Sequence, residues 1–263
     1  MIPLYVDGSA APVRIVLDGP SLRLEQAGIS DARWPLQRVT RLVVRGAVAW
    51  GDGALAACLG RGIPVSLLDG SGRTVGTCLP ARARPSDTAQ LLDEACAVGR
   101  LEEAYGNWRR AAERRAVLDL VRSLGLRPRD LRPASVRRAL LAALDRLGAA
   151  WPGEMLLARL EALLDAELCR LLLEEGIGAR FQSGDAEALV DLRRDLAGLL
   201  GWDLGRLAWR LAAYLARHGG KHRTELDVAR RIARQFEAGR EQRATATVRY
   251  LADLRRCLRE FLP

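Results

Sequence analysis

The stretch GIGARFQSGDAEALVDLRRDL, residues 176–196, sets an amide (Gln182), carboxylates that include Asp191 and Asp195, and arginines that include Arg194 where a loop leads into a helical pattern. Carboxylate oxygens and imidazole nitrogens at such a place would hold a divalent cation, which neutralises charge building on a phosphate and activates a hydroxyl nucleophile. Here the types are only partly right. Gln182 offers a neutral amide oxygen or a donor, and an arginine at the same spot would repel the cation. The competing reading is a loop tip followed by a solvated helix face.

Other candidate chemistry is sparse. His218 and His222 are the only histidines and stand four apart, a spacing that clasps a metal on a helix. Gly219 and Gly220 break the helix between them and Lys221 adds positive charge, so this reads as a polar interhelix loop, with Lys221, His222 and Arg223 placed to meet a phosphate. No H-E-x-x-H, paired C-x-x-C or Walker motif occurs, and with both histidines so placed a nucleophile triad finds no support. The glycine-rich DGSGRTVG is followed by another strand-like run rather than a helix, so it reads as a hairpin and not a phosphate cradle. On the helix that starts near Thr224, Arg230, Arg231 and Arg234 lie at helical neighbour spacing, with Arg240 and Arg243 beyond. Such a stripe can run along a duplex backbone, where each neutralised phosphate releases counterions. The plainer alternative is a solvated face with intrahelical ion pairs such as Glu237 with Arg240 or Arg234. Trp108, Trp151, Trp202 and Trp209 read as helix-packing anchors rather than stacking platforms.

The elements that must position these residues fall into two halves. Residues 1–80 alternate short β-branched runs with turn residues (PLYVDGS, VRIVLDG, LRLEQAG, RLVVRGAV), which is strand grammar. Within them WGDGALAACLGRG predicts one short helix closed by glycine, then a buried strand IPVSLLD, a tight turn GSG and a strand RTVGTCLP. Residues 81–86 have the proline and polar content of a linker. From residue 87 to 263 the apolar spacing of three and four predicts helices, broken at GLRPRDLRPAS, GAAWPGE, GIGARFQSGD and RHGGKHRTE. The expectation is an α+β chain: a β-rich, β-sandwich-like N-terminal domain followed by an all-helical one.

Composition narrows the partners. Net charge is +9 over 263 residues, and Lys221 is the one lysine among the 41 basic residues. The excess favours an anionic partner, nucleic acid foremost, although such arginine dominance also follows from GC-rich codons. It is concentrated at the end: residues 217–263 hold twelve Arg or Lys against six Asp or Glu, residues 1–80 eight against six. Five scattered cysteines fit a reducing, cytoplasmic setting, and neither a basic leader nor a run of about 18 apolar residues suggests export or a membrane.

Four words in order resemble the CRISPR-associated adaptation integrases, the Cas1 family. RLVVRGAVAWGDGALAACLGRGIPVSLLDGSGRTVGTCLP is similar to the family's N-terminal signature. AVGRLEEAYGNWRRAAER is similar to its linker helix, with Asn107 at the place of an asparagine, and LLARLEALLDAELCRLLLEEGIGARF to the paired helices and turn before its active site. VARRIARQFEAGREQRATATVRYLADLRRCLREF is similar to its final basic helices. The resemblance implies a Mn- or Mg-dependent site of glutamate, histidine and a second carboxylate that cleaves or joins DNA. In this chain the histidine's place falls on Gln182. The second carboxylate's, three residues after Asp191, falls on Arg194, with Asp195 one residue further on. The glutamate's falls on Leu140 in VRRALLAAL, and no acidic residue lies between Leu131 and Leu144; Glu154 is the nearest carboxylate downstream.

The sequence therefore predicts a DNA-binding adaptation protein with a degenerate site and no resident metal. If the site were active, Asp191, Asp195 and Glu154 would hold Mn or Mg in an endonuclease or integrase; a protein-interaction scaffold is the remaining alternative. By resemblance its partners are DNA, a second copy of itself in a homodimer formed by the β-rich domain, and a small ferredoxin-like adaptation protein; with the chemistry lost here, an active paralogue or another nuclease in the same assembly would supply it.

Overall fold

A computed structural model describes residues 2–81, 86–99, 101–149, 151–182, 190–218 and 224–262. The chain divides into two compact units, Met1–Pro85 with Asp165–Ser183, and Ser86–Leu164 with Gly184–Pro263. The fold is mixed α+β, a six-stranded sheet followed by helices, as the sequence predicts.

In the first unit the β-branched runs form β1 (Ile2–Asp18), β2 (Ser21–Gln26), β3 (Ile29–Pro35), β4 (Val39–Trp50), β5 (Val65–Leu68) and β6 (Thr74–Cys78). They join in one sheet of order β3-β2-β1-β4-β5-β6. The β1–β4 and β4–β5 pairs are parallel, and β1–β2, β2–β3 and β5–β6 antiparallel. β1 carries one feature that alternation alone does not reveal. Its ladder with β4 runs to Gly8 opposite Gly46 and resumes at Val13 opposite Val48, five steps against two. That odd insertion reverses which side of the strand faces inward. Leu4 and Val6 before it and Val13 and Ile15 after it consequently all enter one core, with Leu22, Leu42, Val44, Ile63 and Val65. Backbones cross closely at the irregularity: a Cβ on Gly8 would lie 2.3 Å from the Ala47 oxygen, and Gly46 has φ +77° with a Cβ position 2.6 Å from the Ser9 nitrogen. Glycine is required at both.

The short helix α1 (Ala54–Gly60) buries Ala54 and Cys58 in this core, where burial pushes the Cys58 thiol up to about 11. The β5–β6 turn is the hairpin expected from DGSGR: Asp69 N–H donates to the Arg73 carbonyl at 2.9 Å, and the Ser71 hydroxyl, then the Arg73 N–H, hold the Asp69 carboxyl below its usual range. All five cysteines are free thiols.

β4 is buried on both faces over Val39–Val44. Its second face carries Arg41, 1% exposed, 4.0 Å from the carboxylate of Glu167, itself 0% exposed, and Arg41 also donates to the Tyr5 hydroxyl at 3.1 Å. Glu167 belongs to α5 (Gly153–Glu174), whose part from Asp165 onward folds with this unit.

The second unit is helical: α2 (Asp87–Ala97), α3 (Leu101–Leu124), α4 (Pro133–Asp145), the start of α5, α6 (Leu192–His218), α7 (Glu225–Ala238) and α8 (Arg240–Phe261). The ends are written locally. The Ser86 hydroxyl caps α2 by accepting from Ala89 N–H at 3.3 Å, Pro133 opens α4, and Asp145 accepts from Gly153 N–H at 2.9 Å where α5 begins. Thr224 and Asp227 form a capping box on α7. The expected breaks fall between these helices; two more, at Gly99 (φ +69°) and at Gly239, divide what reads as continuous pattern in the sequence. No described helix is long and apolar enough to cross a membrane.

The buried pair gives a test. Removing one charge leaves the other without its counter-ion in the interior, so Arg41→Met or Glu167→Leu should each cost about 3–5 kcal/mol, and the double variant less than either. Urea unfolding of the three variants measures this; additive losses would show that the two side chains do not act as a pair.

Candidate functional site

Site-related side chains in the second unit are organised by α3 and the start of α6. Asp191 immediately precedes α6, is fully buried, and accepts from the Arg194 backbone N–H at 2.9 Å, while its carbonyl accepts from Asp195 N–H. It is an N-cap. Asp195, one turn on, is buried and uses both oxygens: Oδ2 accepts from the Tyr105 hydroxyl at 2.7 Å and Oδ1 from Arg109 Nη1 at 3.2 Å, both from α3. Arg194 Nε lies 3.9 Å from the same Oδ1. Burial, then the Asp195 charge and hydrogen bond, hold the Tyr105 phenol above its ordinary value. Tyr105 and Trp108 pack ring to ring at 5.3 Å, so the helix-anchor reading of Trp108 fits its surroundings.

Leu140 lies inside the α3/α4/α6 packing. A Cβ on Gly205 of α6 would lie 2.9 Å from Leu120 Cδ1 and 3.1 Å from Leu140 Cδ2, so the glycine lets the helices close on both leucines. Glu154 is exposed in the first turn of α5. With Glu161, whose hydrogen bond to Arg137 at 2.6 Å is the larger cause, it raises the Arg137 pKa. In the first unit Gln182, 2% exposed, follows the 3-10 turn Ala179–Phe181 and donates from Nε2 to the Ile177 carbonyl at 2.7 Å. It closes its own loop. Among the described residues no group of three or more His, Cys, Asp and Glu is placed to hold a metal ion.

The basic stripe separates into two kinds of arginine. α7 buries Val228, Ile232 and Phe236, one every fourth residue, and leaves Arg230 and Arg234 exposed. Arg231 lies over the Tyr214 ring at 4.2 Å. Arg243 is turned inward: its guanidinium stacks on Phe236 at 3.6 Å and donates to the Phe236 carbonyl at 2.7 Å, bracing the α7–α8 corner at Gly239. Arg240 is half-buried beside that corner. His218 stacks on Tyr214 at 4.6 Å; its sequence partner His222, with Lys221 and Arg223, lies outside the described residues.

Arg206 and Arg210 of α6 stand outside the stripe that the sequence predicts. Both are exposed and, with Asp203, Trp209, Gln235 and Gln242, line a cleft of about 670 Å³ beside the same corner. The signal was present, since Arg206 and Arg210 stand four apart on a helix. Their surrounding apolar run, LGRLAWRLAAYL, reads as a packing face.

Residues 4–97 match the family model described as CRISPR associated protein Cas1. No curated protein sequence matches significantly. Among solved structures, a CAS1 protein from Thermotoga maritima superposes with TM-score 0.74 at 14% identity, over 96% of this chain and 97% of that one. A TtCas1–DNA complex gives 0.63 at 17% over 98% and 92%, and a casposase bound to integration product 0.59 at 17% over 90% and 82%.

Burial of the Tyr105 phenol, reinforced by the Asp195 contact, makes stability depend on alkaline pH. A phenol whose folded pKa lies above the unfolded value near 10 contributes stability that is present below about pH 10 and falls as pH rises further, because only the unfolded chain ionises there. Thermal unfolding between pH 8 and 11 should show a steeper alkaline loss for the wild type than for Tyr105→Phe; parallel curves would show that this phenol does not contribute. Residues 4–97 thus match the Cas1 family model, and nearly the whole length of the chain has the fold of the Cas1 structures.

Proposed function

We propose that this protein binds duplex or branched DNA in CRISPR spacer acquisition and that its own metal-dependent site is degenerate. The observation that carries the reading is Asp195. It is the carboxylate nearest the second ligand's place in the family, and both its oxygens are engaged by Tyr105 and Arg109 with Arg194 beside them. Asp191 caps a helix, Leu140 is packed among leucines, and Gln182 donates to its own loop. Within the second unit, the guanidiniums of Arg109 and Arg194 beside Asp195 repel a divalent ion and Leu140 has no donor atom, a lining that does not fit a hard ion in need of several carboxylate or carbonyl oxygens.

DNA binding is supported by the exposed Arg230 and Arg234 on α7, by Arg206 and Arg210 in the adjoining cleft, and by the charge surplus of the C-terminal segment. The same fold occurs in a TtCas1–DNA complex and in a casposase bound to integration product. Family resemblance supports homodimerisation through the β-rich domain and docking of a small ferredoxin-like partner; with its own site degenerate, catalysis falls to an active paralogue or another nuclease of the same assembly. In such an assembly this chain's contribution is grip and placement.

Purified protein incubated with linear and branched DNA, with and without Mn, should retard the DNA in a salt-sensitive manner and yield no cleaved or joined products. Arg230→Ala with Arg234→Ala should lower the slope of log affinity against log salt by about 0.9 per lost contact. Products that depend on Mn would establish the active-enzyme alternative, and absence of retardation the scaffold.

A further inference from the structure

The cleft beside the α7–α8 corner carries side chains that neither helix packing nor a backbone-facing stripe uses. Its volume, about 670 Å³, lies within the roughly 300–1,000 Å³ typical of clefts that hold small ligands. Leu204 and Leu207 of α6, both buried, give it apolar lining, and Trp209 adds an aromatic wall. Trp108 and Trp202 bury their indole N–H groups, whereas Trp209 is only half-buried and faces this space. Gln235 in the last turn of α7 and Gln242 in the first turn of α8 contribute two amides, and among the described residues neither has a hydrogen-bond partner. Each glutamine immediately precedes a member of the Phe236–Arg243 stack, so the contact that braces the corner also fixes where both amides start. At the rim Asp203 engages Arg206, while Arg210, exposed and four residues on, has no acidic partner among the described residues.

A primary amide presents a donor and an acceptor side by side, the pattern that pairs with N6 and N7 of adenine, and an aromatic wall stacks on the face of any base. A base inside a duplex has both faces occupied by its neighbours, so only one that has left the stack can use such groups. We infer that the cleft receives an unpaired nucleobase from an open or branched DNA end: Trp209 stacks on it, Gln235 and Gln242 bond to its edge, and Arg210 meets the adjoining phosphate. This deepens the DNA-binding reading and rests on it for the source of the base. Contacts along the backbone hold any duplex; the cleft adds a preference for DNA with a free base to offer.

Fluorescence anisotropy tests the cleft with two splayed duplexes that differ only in their unpaired tails, one of deoxyadenosines and one of abasic residues with the same phosphates. Stacking of a base on an aromatic side chain is worth about fivefold or more in affinity, so the wild type should bind the adenine tail tighter by at least that factor. Trp209→Phe should keep the ratio, Trp209→Leu should bring it close to one, and Gln235→Ala with Gln242→Ala should lower it, with circular dichroism showing that each variant is folded. Equal wild-type affinity for the two tails would overturn the cleft, as would a ratio that survives both Trp209→Leu and the double glutamine variant; in either case the DNA-binding reading stands, because DNA is still retained. Should the wild type retain no DNA at all, that reading falls, and the cleft is decided by calorimetry with deoxyadenosine monophosphate. Heat of binding lost in Trp209→Leu then upholds a site for a free nucleotide, and heat unchanged by that variant, or none from the wild type, ends it.

Discussion

A carboxylate has two oxygens, and at Asp195 both are in use. One accepts from a buried phenol and the other from a guanidinium, with a second guanidinium close by. Placing a divalent ion on either oxygen would mean bringing it up to Arg109 and Arg194 in competition with a charge-assisted and a buried hydrogen bond, a repulsion that a partly buried setting strengthens. The functional account follows from that arrangement: if the acid near the expected site orients cations, what remains attractive to a polynucleotide is the cationic surface.

The two units solve separate problems of burial with polar groups inside. In the first, β4 is covered on both faces, and the strand carries an arginine on the face away from the apolar core, matched by Glu167 from a helix more than a hundred residues later. Such a pair gives little net stability over an apolar substitute, but it fixes which helix segment belongs against which strand. Both partners lie within the unit formed by Met1–Pro85 and Asp165–Ser183. In the second unit α6 is the organising helix: Asp191 and Asp195 fix its start, Gly205 admits Leu120 and Leu140, and Tyr214 near its end carries Arg231 and His218.

Much of the fold was legible because its causes are local. Alternating β-branched residues announced the strands, the glycines around α1 and the GSG turn placed helix and hairpin, and Gly and Pro marked most helix ends. The parity reversal in β1 was not legible, since it depends on what β4 presents opposite Gly8, not on the letters of β1. The same holds at the site. Gln182, Arg194 and Leu140 could be singled out by resemblance, and Asp195 by its type, but its partners lie 86 and 90 residues earlier. Nothing in GNWRR marks Arg109 as different from Arg110, or Arg243 as the arginine that turns inward; only packing distinguishes a cation that braces a corner from one that faces solvent.

The most direct measurement is anomalous diffraction from crystals of the protein grown with manganese. The account predicts no anomalous peak beside Asp195, with its carboxylate still bonded to Tyr105 and Arg109. A manganese ion ligated by Asp195, with Arg109 and Arg194 swung away, would contradict it.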